Sequence, residues 1–378
     1  MSVILENKNF YQDHNNQYFQ LLIGTLQKIS SRQPSAEIIE FLFKNQDKIN
    51  LKLAKIIKYW APNAFSKVGQ DRSHFVVRDL IIFAELILKN LIKNQTYNIE
   101  IALAIYKVAL EVYTPVKDPQ NWAMLQSYLG NMYRDRSFND PLKNTEQAIL
   151  HYRLALEVLT KEKYPYRWGI VQRDLGMVYV HNQKQNQDHK LITAIAHYRN
   201  ALSVHNADDF PEDWAANHNN LGEANFRLEV GSKSINIELA IAHFQKSLKI
   251  YNCVNFPYPW SMVNNNLGNA FKLRIKGEKQ GNLYKAIAYY QKALSIQTLE
   301  KSPHNWAMLQ NNLAGAYYSL ACVESSEDQW QKNNQEYLQK ALDCWQKALV
   351  IYKESDFPQQ WQEIQDSLQS IYQLQKRE

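Results

Sequence analysis

Cysteine is scarce. The chain has three in 378 residues, Cys253, Cys322 and Cys344, with no CxxC spacing. An odd, scattered set implies neither a disulfide framework nor a zinc knuckle and fits a reducing, cytoplasmic location. Long apolar runs are also missing: the longest, Leu80 to Leu88, is interrupted by Glu85 and is too short to cross a bilayer. The opening residues, MSVILENKNFYQDHNN, lack a basic segment followed by an apolar stretch, so no export signal is expected. Nor is there a strong excess of one charge. Thirteen Lys and Arg face nine Asp and Glu in residues 1–100, and 30 face 28 in the remainder. A nearly neutral remainder argues against an array that tracks nucleic-acid phosphates, which would need many cations along its path. Phosphate-binding glycine loops, nucleophile elbows and HExxH are all absent from the sequence, so neither an enzyme nor a cofactor is expected.

What the chain does have is a period. Trp122, Trp168, Trp214, Trp260 and Trp306 stand 46 residues apart, each three residues after a proline. Leu129-Gly130, Leu175-Gly176, Leu221-Gly222, Leu267-Gly268 and Leu313-Ala314 follow seven residues after the Trp, so the register holds inside the units. A period of this size is the mark of a solenoid, in which no unit can bury its own apolar face alone. With 45% hydrophobic and 12% aromatic residues, the chain has the means to build a packed core.

Each unit reads as two helices. The first starts at its proline, whose fixed φ and missing N–H suit a first turn, and it places apolar side chains on one face, as in Trp122, Leu125, Leu129 and Tyr133. Glycine in a helix interior costs about 1 kcal/mol, so its recurrence implies a second helix crossing where no side chain fits. The second helix carries Ala148, Tyr152 and Ala155, repeated at Ala194, Tyr198 and Ala201, at Ala240, Phe244 and Ser247, and at Ala286, Tyr290 and Ala293. Asn144, Asn236 and Asn282 are expected to cap its start, with Glu146 and Glu238 against the positive end of the helix dipole.

The frame extends both ways. Asn98, Glu100, Ala102, Tyr106 and Ala109 fit a further unit beginning near Ser73 with a degenerate first helix. Ala341, Trp345 and Ala348 repeat the second helix after 55 residues instead of 46, which predicts a mobile polar excursion at Val323 to Glu336, including Trp330. A capping helix follows from Pro358. The expected organisation is all-α: a small helical domain over 1–70, then a right-handed α-solenoid over 71–378 with six helix pairs and a terminal helix.

The motif Leu-Gly-x-x-Tyr at Leu129 to Tyr133, with Ala-x-x-x-aromatic-x-x-Ala in the second helices, resembles the tetratricopeptide (TPR) family over residues 73 to 378. The unit is 46 residues instead of 34, and the family's Trp position holds Gln126, Gln172, His218, Asn264 and Gln310. The long form, with Pro-x-x-Trp and Asn-Asn-Leu-Gly, looks like bacterial arrays from cyanobacteria, some of them attached to caspase-like (CHAT) protease domains. The periodic helices here leave no space for such a domain.

The resemblance implies a concave wall formed by the first helices. Counted from the Trp, position five holds Ser127, Arg173, Asn219, Asn265 and Asn311; position six holds Tyr128, Asp174, Asn220, Asn266 and Asn312; position nine includes Asn131, Glu223 and Asn269. A ladder of Asn can clamp an extended peptide by its backbone, Met124, Met262 and Met308 would add adaptable apolar surface, and Arg173 and Lys272 would favour an acidic ligand. The same Asn can instead bond to neighbouring repeats. His151, His197 and His243 recur at one position of successive second helices, a spacing of roughly 8 to 10 Å that does not converge on a metal. Lys44, Lys48, Lys52, Lys55 and Lys58 form a basic stripe, read as a solvated face or as a contact for an acidic partner or membrane surface. The expected function is a non-catalytic scaffold or adaptor for a protein or peptide; the alternative is a signal-peptide sensor whose array changes shape on binding.

Overall fold

The computed structural model describes residues 16–91, 94–181, 187–323 and 327–375. Among these, the regular structure is helical throughout, with no strand, and neighbouring helices pack in pairs. The chain groups into two compact units, 1–182 and 183–378.

The first unit contains α1 (Asn16–Ser30), α2 (Ser35–Lys44), α3 (Leu51–Val68), α4 (Gln70–Asn90), α5 (Gln95–Ala109), α6 (Pro119–Asp135), α7 (Pro141–Leu156) and α8 (Pro165–His181). Helix α5 packs on both α3 and α4, and α6 pairs with α7. The segment that carries the lysine stripe is not one helix. It breaks after Lys44, passes through a short 3-10 turn at Gln46–Lys48, and restarts when the Asn50 side chain accepts from the Lys52 N–H at 2.9 Å. The five lysines of the expected stripe therefore lie on three elements, and only Lys52, Lys55 and Lys58 share a helix. Lys44 pairs with Glu40 at 2.6 Å and Lys48 donates to Asn45.

The second unit contains α9 (Gln187–Leu202), α10 (Pro211–Arg227), α11 (Lys233–Ser247), α12 (Pro257–Leu273), α13 (Lys279–Leu294), α14 (Pro303–Ala321), α15 (Glu327–Ala348) and α16 (Pro358–Gln375). Its hairpins are α10 with α11, α12 with α13, and α14 with α15. The first helices begin at their prolines as the sequence requires. Gly130, Gly222 and Gly268 each lie under the ring of their second helix: a Cβ on Gly130 would stand 2.6 Å from Tyr152 Cε1, one on Gly222 2.6 Å from Phe244 Cε1, and one on Gly268 would meet Tyr290 Cε1 in the same way. Tyr152, Phe244 and Tyr290 are accordingly among the most deeply buried side chains.

The turns of three hairpins, α6 to α7, α10 to α11 and α12 to α13, share a left-handed residue just before the N-cap, although the last N-cap, Glu278, makes no side-chain capping bond. Asn139, Gly231 and Gly277, one register position in three units, have φ of 68°, 84° and 84°, which glycine and asparagine tolerate best. Next comes the helix N-cap, Asp140 accepting from Leu142 N–H or Ser232 accepting from Ile235 N–H. The recurring asparagines are not those caps. They sit one turn inside, and their amides donate backward: Asn144 to Arg136 O and Phe138 O, Asn236 to Leu228 O and Val230 O, Asn282 to Arg274 O and Lys276 O, and Asn98 to Ile87 O and Leu91 O. A buried carboxamide thus satisfies the carbonyls released where the first helix ends. Glu100 and Glu238 also do more than face a dipole. They form two-pronged ion pairs with Arg136 and Arg274, which follow the first helix of the next hairpin.

The nine extra residues before Ala341 largely lengthen helices. Helix α14 has 19 residues against 17 for α12, and α15 has 22 against 16 for α13. The expected excursion at Val323 to Glu336 falls in part on residues 324–326, which lie outside those described, as does the Trp330 side chain.

Candidate binding site

The polar rows of the first helices meet across neighbouring hairpins with an offset of one residue. In the second unit, Asn266 Nδ2 donates to Asn219 Oδ1 at 3.1 Å and Asn312 Nδ2 donates to Asn265 Oδ1 at 2.9 Å. In the hairpins that begin with α12 and α14, position six therefore bonds to position five of the hairpin before it. Asn311 closes the series by accepting from Trp345 Nε1 at 2.9 Å. Asn219, Asn311, Asn266 and Asn312 are half-buried, and Asn265 is buried. Asn220 lies beside Asn219, also half-buried.

This lacing divides the hydrogen-bonding capacity of the row. Asn219, Asn265 and Asn311 have their carbonyl oxygens engaged and retain amide N–H groups, whereas Asn266 and Asn312 have engaged an N–H and retain a carbonyl oxygen. Asn269 is tied to its own hairpin, accepting the Tyr290 hydroxyl at 2.7 Å. Asn131 does the same in the first unit with Tyr152 at 2.6 Å. Both were expected to line the wall, and both also anchor the ring of the second helix.

Lys272 completes the face. It has no ion pair among the described residues, and its Nζ is 3.5 Å from where a Cβ on Gly315 would be, so it lies over bare backbone of the next first helix. Burial, helped by the nearby charge of Lys279, lowers its pKa from the ordinary lysine value. The equivalent residue in the first unit, Arg134, has a different setting: Asp174 is buried between Arg134 at 3.6 Å and Arg173 at 3.5 Å. Arg173 was expected to attract an acidic ligand, and it already faces a carboxylate within the chain.

The histidines pair inside hairpins. His151 Nδ1 is 2.6 Å from Gln126 Oε1, and His243 Nδ1 is 2.9 Å from His218 Nδ1 with the rings stacked. Four residues after the Trp, Gln126 and His218 thus bond to the second helix, whereas Asn264 donates to Trp260 O of its own helix. Burial pushes His151 down to about 4, with Lys107 adding to it; burial, then His243 and Lys246, push His218 to about 3; burial, then Lys246 and Arg199, push His243 to about 4. Among the described residues no three His, Cys, Asp or Glu side chains group as metal ligands. No described helix is long and apolar enough to cross a membrane.

Sequence reasoning missed a cavity of about 190 Å³ in the first unit, between α4 and α6. The signal was the 46-residue frame itself: carried back from Trp122 it puts Ile81, Ile82 and Glu85 at positions five, six and nine of α4. In comparisons with known proteins, no family model matches the chain and no curated protein matches it.

Proposed function

We propose that the chain is a non-catalytic binding scaffold, a right-handed α-solenoid of tetratricopeptide-like hairpins that holds an extended peptide segment along its first helices. The observation that carries this reading is the offset pairing of the asparagines. Within one hairpin, position five offers an N–H and position six offers a carbonyl oxygen, as in Asn265 with Asn266 and Asn311 with Asn312. That pair is the complement of a peptide unit, which carries one acceptor and one donor. Fixing each Asn through its neighbour also means less side-chain freedom is lost when a ligand arrives. Lys272, half-buried and with no ion pair among the described residues, favours a segment bearing a carboxylate at that point.

The test uses a peptide selected from a random library against the full chain. Each Asn supplies about 0.5–1.5 kcal/mol net, so Asn219→Ala, Asn265→Ala and Asn311→Ala together weaken binding by roughly tenfold to a thousandfold. A folded triple variant that binds the peptide at full affinity refutes the reading.

A further inference from the structure

The first hairpin departs from the others on this same face. Where α10, α12 and α14 carry a laced polar row, α4 presents Ile81 and Ile82, and opposite them α6 presents Tyr128. With no Asn–Asn bond to draw the helices together at this level, a cavity of about 190 Å³ remains, walled by Ile81, Ile82, Leu125, Met124, Tyr113 and Tyr128. Its size limits the occupant. Drug-sized ligands take about 300–1,000 Å³, whereas a cavity of about 150 Å³ accommodates a single benzene-sized group. A single side chain fits it best.

The charge of the wall sets the chemistry. Arg78 lines the cavity but is neutralised by Asp79, whose Oδ1 accepts from Nε at 3.1 Å and from Nη2 at 2.8 Å. Asn121 is drawn off to Asp118 at 2.8 Å. Arg167 donates to Met124 Sδ but is not part of the cavity wall. Glu85 remains: it is exposed at the mouth and, among the described residues, has no ion pair. The aromatic surface beside it comes from Tyr113 and Tyr128, which line the cavity. An open carboxylate next to tyrosine faces and a thioether attracts an alkylammonium or guanidinium group through an ion pair and cation–π contact.

We propose that this cavity, between α4 and α6, receives the side chain of a lysine or arginine from a bound protein segment, with Glu85 as its counter-charge. The site is separate from the asparagine row of the second unit, so each can fail without the other. Although the Glu85 side chain reaches solvent, partial desolvation by the cavity wall raises its carboxyl above the ordinary value, with no cation to offset it among the described residues.

The test is saturation-transfer NMR on the full chain with two probes, Nα-acetyl-lysine methylamide and its norleucine counterpart. The lysine probe should bind about tenfold more tightly than norleucine, and Glu85→Gln should reduce it to the norleucine level. In the unaltered protein, lysine binding should also weaken as the pH falls through the titration of Glu85, while norleucine binding stays level. Equal binding of the two probes, lysine binding that survives E85Q in a folded protein, or lysine binding that is flat in pH overturns the proposal.

Discussion

Replacing Gly130 by Ala sets two effects of known size against each other. In a helix interior Ala is better than Gly by about 1 kcal/mol, so propensity alone makes the variant more stable. Packing opposes this, because the new Cβ would lie 2.6, 2.7 and 2.9 Å from Cε1, Cδ1 and Cζ of Tyr152. Carbon atoms pack best at about 3.5–4.0 Å, so the ring must retreat by about 1 Å. It cannot do so freely, since Tyr152 is fully buried and its hydroxyl donates to Asn131 Oδ1 at 2.6 Å. Overpacking costs about 1–3 kcal/mol and a strained or lost hydroxyl bond about 1 more, for a net loss of about 1–3 kcal/mol. Gly222→Ala meets the same contact at Phe244, a ring with no hydroxyl to hold it, and should lose about 1 kcal/mol less. Gly281→Ala is the control: its Cβ would meet nothing nearer than Glu278 Oε2 at 4.0 Å, so propensity acts unopposed and stability should rise by up to about 1 kcal/mol. Urea unfolding followed by far-UV circular dichroism should give midpoints in the order Gly281→Ala, wild type, Gly222→Ala, Gly130→Ala. If Gly130→Ala proves as stable as Gly281→Ala, the close approach of the second helix does not explain the recurring glycine.

Asn236→Ala strands the carbonyls of Leu228 and Val230 and should cost about 1–3 kcal/mol in urea unfolding; Asn236→Asp should cost more, since a carboxylate cannot donate, and equal stability for Asp and Asn refutes the clasp. His218 and His243 are held neutral with lowered pKa values of about 3 and 4, whereas the unfolded chain takes up protons near 6.5. Their contribution is complete above about pH 6.5 and is lost as the pH falls toward 4, at about 1 kcal/mol per ring near pH 5 after allowance for solvent screening. His218→Gln, which recreates the Gln126–His151 arrangement, should flatten the fall in melting temperature between pH 7 and 5. Arg274 lowers the Glu238 carboxyl below its ordinary value, so that pair stabilises above the unfolded pKa near 4.5 and fades as the pH drops through the lower folded value; Arg274→Lys, losing the two-pronged geometry, should shrink the acid-side slope of a melting-temperature profile.

Local chemistry made much of this legible in the sequence. A proline three residues before a Trp marks a helix start because Pro prefers the first turn, and Gly130 predicted the Tyr152 crossing because only one backbone reason puts glycine there repeatedly. What failed depended on geometry between elements. Asn144 as a cap and Asn144 as a clasp read identically in sequence, since both sit near a helix start; the αL residue at Asn139, Gly231 and Gly277 moves the cap to the residue after it. The lysine spacing suggested one helix because 44, 48, 52, 55 and 58 suit a helical period, but Asn50 restarts the helix between them. In the candidate site, the rows at positions five and six were visible, but their pairing was not. The offset of one residue arises from how adjacent first helices pack, so Asn266 reaches Asn219 and not Asn220. The cavity beside Glu85 was hidden because α4 has neither the Trp nor the Leu-Gly that marks the other first helices.

The account's central claim is that the asparagine row reads a peptide's backbone. Its most direct test takes one library-selected peptide and measures affinity by calorimetry for two series, one with each amide replaced by an ester, the other with each side chain cut to alanine. The N–H left on Asn265 and on Asn311, each beside the carbonyl oxygen left on Asn266 and on Asn312, predicts that ester replacement along the central residues weakens binding by several-fold to tenfold per position. Most alanine changes, apart from one acidic residue opposite Lys272, should have little effect. If the ester peptides bind as well as the parent and affinity tracks side chains alone, the asparagine row does not hold the ligand.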